Sequence, residues 1–389
     1  MSKSLFLKII VYLFSFFLAF GKFDPFGTNG VFFDAITVLL GMSILLSTDA
    51  FLYIKKYSIQ LSILFAIGII MFIMGFIYGE PYFNAKYFSA VIIFWLLSYY
   101  YISNQIVCFN SIFLFAISSA LIALLYNFGF LDSYFNIDTK GRLQLFEENP
   151  NSISTRMAIA FVSLFYIVIE NPLKYKKIRF LLLLLLPSLF FIVIAFASRG
   201  SSLLLIMGSA SIILLSKISK RYKLFLISGA FLLYISLIGF FKTTSLFERF
   251  EQEENVLGIR ETIWENAFQI FYDNPNGIGE LGYVKEMYSR YNWYLDTHNL
   301  YLYFLVTGGI FTLLLFLLFL AQLFIKSYTN LRRGNSFSVI LLIFLLFLAG
   351  KTGGILTYLV MWFFFSIIYS FDIKKLNDEL NSSPRLGSS

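Results

Sequence analysis

The chain has 389 residues, of which 59% are hydrophobic, 20% aromatic and 13% charged, against about 25% charged in ordinary globular domains. That composition excludes a soluble globular fold and points to an all-α polytopic membrane protein. One cysteine and one histidine exclude an internal disulfide framework and argue against a zinc site. The net charge of +8 reads as basic cytoplasmic loops rather than a nucleic-acid surface.

A bilayer core about 30 Å thick takes about 20 apolar residues as a helix. On that measure the sequence predicts about twelve spans, at 4–20, 31–47, 58–77, 86–101, 106–127, 151–169, 179–197, 200–216, 223–241, 298–324, 336–350 and 353–371. The first run has no small-residue cleavage site and reads as a retained span. Residues 1–241 thus carry spans one to nine, 242–297 form a large outer loop, 298–371 carry spans ten to twelve, and 372–389 form a cytoplasmic tail ending in polar "SSPRLGSS". Placing the N-terminus inside puts Lys3, Lys8, Lys55, Lys56, "KYKKIR", "KISKRYK", Lys326, Arg332, Arg333, Lys374, Lys375 and Arg385 on one side. This is the side that short basic loops select as cytoplasmic, and it puts both termini there.

Two outer loops stand out, at roughly 128–150 and 242–297. Long loops are often functional. The first ends in "GRLQLFEENPNS"; Glu147, Glu148 and the following Arg156 could line an acceptor surface or simply anchor a solvated loop end. Arg199, in "ASRGSSLLL", stands at the outer end of span seven. It is either a snorkelling interfacial residue or an anion ligand aimed by close helix packing at Gly200, Ser201, Ser202 and "GSAS".

Within the second loop, "RETIWENAFQIFYD" reads as an amphipathic helix. Ile263, Ala267 and Ile270 share a face, widened by Trp264, Phe268 and Phe271. It would lie on the outer membrane surface and end at "DNPNG", where Asn274 precedes a proline. Arg260 would sit in its first turn, where free N–H groups also favour an anion. From 242 to 297 there are five basic residues (Lys242, Arg249, Arg260, Lys285, Arg290) and ten acids. The overall field of the loop therefore repels anions, and a phosphorylated substrate would need specific arginines.

His298 closes this loop in "DTHNLYLYFLVTGG". Histidine can take a proton at neutral pH and so could serve as a general base; a simple interfacial histidine beside a Thr297 helix cap is the alternative. Tyr283, Tyr288, Tyr291, Trp293 and Tyr294 form either an aromatic belt or flat faces for sugar rings. Lys351, in "AGKTGG", is a further outer cation.

Three segments, "SRGSSLLL", "LGIRETIWENAF" with "NPNGIG", and "HNLYLYFLVTGGI", resemble in this order the O-antigen ligase and O-antigen polymerase superfamily of integral-membrane glycosyltransferases. The resemblance implies a GT-C-like fold and a metal-independent, inverting transfer without cofactor from an undecaprenyl-diphosphate-linked glycan. It implies an active site on the periplasmic face of the bacterial inner membrane. It assigns His298 as catalytic base and Arg199 and Arg260 as diphosphate ligands; Arg156, Glu148, Trp264, Asn299 and Lys351 are candidate substrate contacts beside them. The implied partners are a lipid-linked repeat unit or lipid A–core as acceptor, membrane lipids and a chain-length regulator protein.

A polymerase is favoured over a ligase by the Phe-, Ile- and Lys-heavy composition and by the second outer loop. A transporter or flippase is the reading from another class. It would show charges or Gly/Pro breaks at the midplane, where Pro187 is the one clear interior break.

Overall fold

The computed structural model of the chain describes residues 3–21, 31–47, 50–137, 143–146, 148–170, 176–242, 244, 247, 254–351 and 358–382. Glu147 and the "PRLGSS" end lie outside them. Every predicted apolar stretch falls on a helix. These are α1 (Lys3–Phe17), α2 (Val31–Ser47), α3 (Ala50–Ile77), α4 (Ala85–Ser103), α5 (Gln105–Asn127), α6 (Pro150–Glu170), α7 (Lys176–Ala195), α8 (Arg199–Leu215) and α9 (Lys220–Lys242), followed after the polar stretch by α12 (Leu300–Arg332), α13 (Phe337–Ala349) and α14 (Leu359–Ser370). The polar stretch itself holds α10 (Glu254–Asp273) and α11 (Gly279–Tyr291), and the tail holds α15 (Ile373–Ser382).

Five of these, Ile59–Ile77 of α3 together with α4, α5, α6 and α12, are long and apolar enough to cross a membrane. α1, α2, α7, α8, α13 and α14 contribute shorter apolar segments. At about 1.5 Å per residue, such segments fall short of a core about 30 Å thick. Twelve full-length spans are therefore more than the helix lengths alone establish.

The helices are apolar nearly all round, as helices between protein and lipid must be. α6 is the most enclosed of the five long ones and packs against α5, α7 and α8. Small residues let α8 approach it: a Cβ on Gly208 would meet Val162 Cγ1 at 3.2 Å, and Thr155 and Ser201 hydroxyls lie 3.1 Å apart. One continuous apolar core joins α1–α8 to α12–α14. Leu224, Phe225, Phe231, Phe311, Leu314 and Ile325 stay exposed, as a lipid-facing surface requires.

The first outer loop carries the one departure from an all-α fold among the described residues. β1 (Phe135–Ile137) pairs antiparallel with β2 (Leu143–Leu145), Asn136 opposite Gln144. The tail is also built in. Glu379 accepts the Gln105 and Ile106 N–H groups at 3.0 Å each, which caps the start of α5 where a carboxylate suits the helix dipole.

Candidate active site

Arg199 opens α8 rather than closing the helix before it. Ser198 is the N-cap, its hydroxyl accepting from the Ser201 N–H, and Ala197 turns the chain with φ 48°. Arg199 is thus the first residue of α8, directly after its cap. Lys351 reaches the same place: a Cβ on Gly200 would lie 3.5 Å from Lys351 Nζ, and that ammonium sits 4.6 Å from the centre of the Phe347 ring.

Arg260 does not lie in a first turn. α10 begins at Glu254, so Arg260 lies in its second turn. An anion at Arg260 therefore gains nothing from the helix N-terminus. Instead Arg260 comes within the field of Arg199. Burial, and then the positive charge of Arg199, pull its guanidinium below the ordinary value. An anion bound between the two cations would relieve their repulsion.

The apolar face read for α10 exists, but it does not lie against lipid. Ile263, Ala267 and Ile270 are buried against Ile278, Tyr283 and Met287 and against Leu302, Leu305 and Val306 of α12. Phe268 points away and is exposed. The periodicity marks the stripe of Ile263, Ala267 and Ile270 but wrongly adds Phe268 to it; what covers the stripe is the protein's own α11 and α12. Trp264 uses its indole N–H on the Thr297 carbonyl at 3.0 Å, which ties α10 to the residue before His298.

At His298 the chain takes φ 50°, a value few non-glycine residues adopt. The cap of α12 is Asn299, not Thr297: its Oδ1 accepts the Tyr301 and Leu302 N–H groups at 3.0 and 3.2 Å. The buried Thr297 hydroxyl donates to the Asn299 carbonyl at 2.8 Å. Asp296 faces His298. Burial raises the Asp296 carboxyl above its usual range, while the His298 charge and hydrogen bonds from Thr297 and the His298 backbone pull the other way. Glu280 is a second acid in this neighbourhood, raised by burial and by Asp296, with Tyr303 and Asn84 donating to it; the Asn84 bond is 3.3 Å. Asp296 and Glu280 were not singled out in the sequence, although Asp296 stands two residues before His298.

The aromatic group divides. Tyr283 is buried, Tyr291 and Trp293 pack on the α10–α12 core, and Tyr288 and Tyr294 stack on each other at the surface with centroids 4.2 Å apart. Arg156 and Glu148 are given to one another. They form a two-pronged ion pair, 2.5 Å in each arm, with side-chain exposures of 2% and 9%. The pair fastens the loop before α6 to that helix, and each buried charge has the other as its partner. Among the described residues no three of His, Cys, Asp and Glu gather so as to hold a metal ion.

Arg199, Arg260 and Lys351 therefore collect at one end of the bundle, and Trp264 links Arg260 to the His298 segment. Residues 180–317 match the family model described as O-antigen ligase. This match supports the O-antigen ligase and polymerase superfamily for the chain. It spans Arg199, Arg260 and His298 and stops short of Lys351. No curated protein and no solved structure matches the chain. Members of the O-antigen ligase family are glycosyltransferase-like enzymes, and a multi-pass membrane protein is what the apolar helices of this chain suggest.

Proposed function

We propose that the chain is a bacterial surface-polysaccharide glycosyltransferase working at the periplasmic face of the inner membrane. Its donor is a glycan on undecaprenyl diphosphate, and it acts as an O-antigen polymerase, joining lipid-linked repeat units. His298 takes the proton from an acceptor hydroxyl, which attacks the anomeric carbon. Arg199 and Arg260, with Lys351 beside them, stabilise the charge that develops on the departing diphosphate. With no covalent intermediate the anomeric configuration inverts.

The observation that carries this reading is the convergence of Arg199 and Arg260. They lie 61 positions apart in sequence (260 minus 199) yet close enough for one charge to act on the other. Bringing two guanidiniums together costs like-charge repulsion, which a bound anion would offset. The family description, O-antigen ligase, favours a second reading, transfer of the glycan to lipid A–core.

Purified protein given one lipid-linked repeat unit and no other acceptor is expected to produce a ladder of longer lipid-linked chains. Transfer that appears only when lipid A–core is added would make the chain a ligase. His298→Ala is expected to abolish turnover with folding intact, and Arg199→Ala or Arg260→Ala to slow it by roughly 10²–10³, as for loss of an oxyanion-hole donor. Full activity in any of the three removes that residue from the site.

A further inference from the structure

The function proposed above uses neither the Asn274–Gly277 turn nor the glycines of α12, yet these segments interlock. At Gly309 the backbone of α12 takes φ 72° and ψ −174°, a region that essentially only glycine occupies. In an unbroken helix the Ile310 N–H would donate to the Val306 carbonyl, four residues earlier. Here that bond is open, and the turn takes both halves of it. The Ile310 N–H donates to the Pro275 carbonyl at 3.3 Å, and the Val306 carbonyl accepts the Ile278 N–H at 3.1 Å.

The insertion needs two residues without Cβ. A Cβ on Gly277 would meet the Gly308 carbonyl carbon at 2.6 Å, and one on Gly309 would meet the Pro275 oxygen at 2.7 Å. These neighbours are backbone and cannot swing aside. A second tie lies nearer the outer surface, the Trp264 indole on the Thr297 carbonyl. From Trp264 to Pro275, and from Thr297 to Ile310, is about 11 to 13 residues, roughly 17 to 20 Å of helix. The two segments thus match in length. Between the ties Ile263, Ala267 and Ile270 fill the space against Leu302, Leu305 and Val306.

We propose that Trp264, Gly277 and Gly309 are positioning residues for the transfer reaction: their two ties brace α10 against the outer part of α12 and hold Arg260 at a fixed offset from His298. Arg260 is one turn before Trp264, and His298 directly follows Thr297, so the upper tie joins the diphosphate ligand to the base through the shortest available path. The lower tie prevents α10 from sliding along α12, which apolar contacts alone would allow. The inference rests on the roles proposed above for Arg260 and His298.

The test uses the purified full-length protein in detergent with a lipid-linked repeat unit. Trp264→Phe keeps a ring and removes the donor. Its kcat is expected to fall about tenfold to a hundredfold, the scale of a misplacement of about 1 Å, with KM for the lipid-linked substrate within about twofold. Gly309→Ala is expected to give the same kcat loss and faster amide hydrogen exchange at Ile278 and Ile310. If Gly309→Ala fails to accumulate, Trp264→Phe decides alone, since it leaves the lower tie intact. An unchanged kcat in Trp264→Phe overturns the brace, and a raised KM with unchanged kcat makes Trp264 a substrate contact instead. His298→Ala is assayed beside them. Should it keep turnover, the role of His298 as base fails, while exchange at Ile278 and Ile310 still reports on the lower tie.

Discussion

His298 and Asp296 sit on either side of a fully buried threonine, and the attraction between them works in both directions. The imidazolium favours the Asp296 carboxylate, so the carboxylate equally favours the imidazolium. Asp296→Asn removes that attraction, and kcat is expected to fall; an unchanged kcat would separate Asp296 from the base. Folding stability should respond as well. Burial outweighs the attractions and raises the Asp296 carboxyl in the folded state, so the native protein binds this proton more tightly than the unfolded chain does. The contribution is then full below the unfolded value near about 3.9 and is lost as pH rises through the raised native value. Asp296→Asn should flatten this part of the stability curve, which thermal unfolding at several pH values would reveal. Single side chains of this kind were partly legible in the sequence. A lone histidine and two arginines at membrane boundaries are costly enough to be noticed, whereas an ordinary aspartate in an acidic loop gives no such signal.

Secondary-structure elements were read best where one solvent dictates the pattern. Lipid cannot satisfy open backbone groups, so the apolar runs of α1–α9 and α12–α14 announce themselves. Partner choice is a different matter. The periodicity of α10 reveals an apolar face, but nothing in "IWENAFQI" says whether lipid or α12 covers it. The break in α12 was missed for the same reason, because "TGG" inside an apolar run becomes a break only when "NPNG" arrives to take the opened hydrogen bond. The short β1–β2 hairpin and the ion pair beneath it were also hidden, since Glu148 and Arg156 lie on a loop and a helix whose approach depends on the whole bundle. That pair yields a prediction at this scale. Glu148→Gln strands a buried guanidinium and is expected to cost about 3–5 kcal/mol of stability. Replacing both residues by apolar ones, Arg156→Met with Glu148→Leu, should recover most of the loss, because a buried pair is often no more stabilising than well-packed hydrocarbon. The double variant should also keep its KM for lipid-linked substrate. A lost or raised KM after stability has recovered would return the pair to the acceptor surface.

For the whole molecule the decisive property is sidedness. The cation cluster, α10, α11 and the hairpin loop all adjoin the same ends of α6, α8 and α12, whereas the basic turn before α9 and the Arg333–Asp372 pair adjoin the opposite ends. If the short loops rich in lysine and arginine lie in the cytoplasm, the first group faces the periplasm, as the proposed function requires. A lipid-linked glycan would then meet His298 only from outside. The chain suits a direct test, because its one cysteine, Cys108, is fully buried and should resist a bulky maleimide in the folded bundle. Tyr288 and Tyr222 are 44% and 42% exposed, so exposure does not distinguish them and sidedness alone decides their labelling. In spheroplasts treated with a membrane-impermeant maleimide, Tyr288→Cys is expected to label at once and Tyr222→Cys only after permeabilisation. The reverse order would turn the protein over and place His298 and both arginines on the cytoplasmic side. A donor presented from the periplasm would then be out of reach, and the polymerase and ligase readings would fail together.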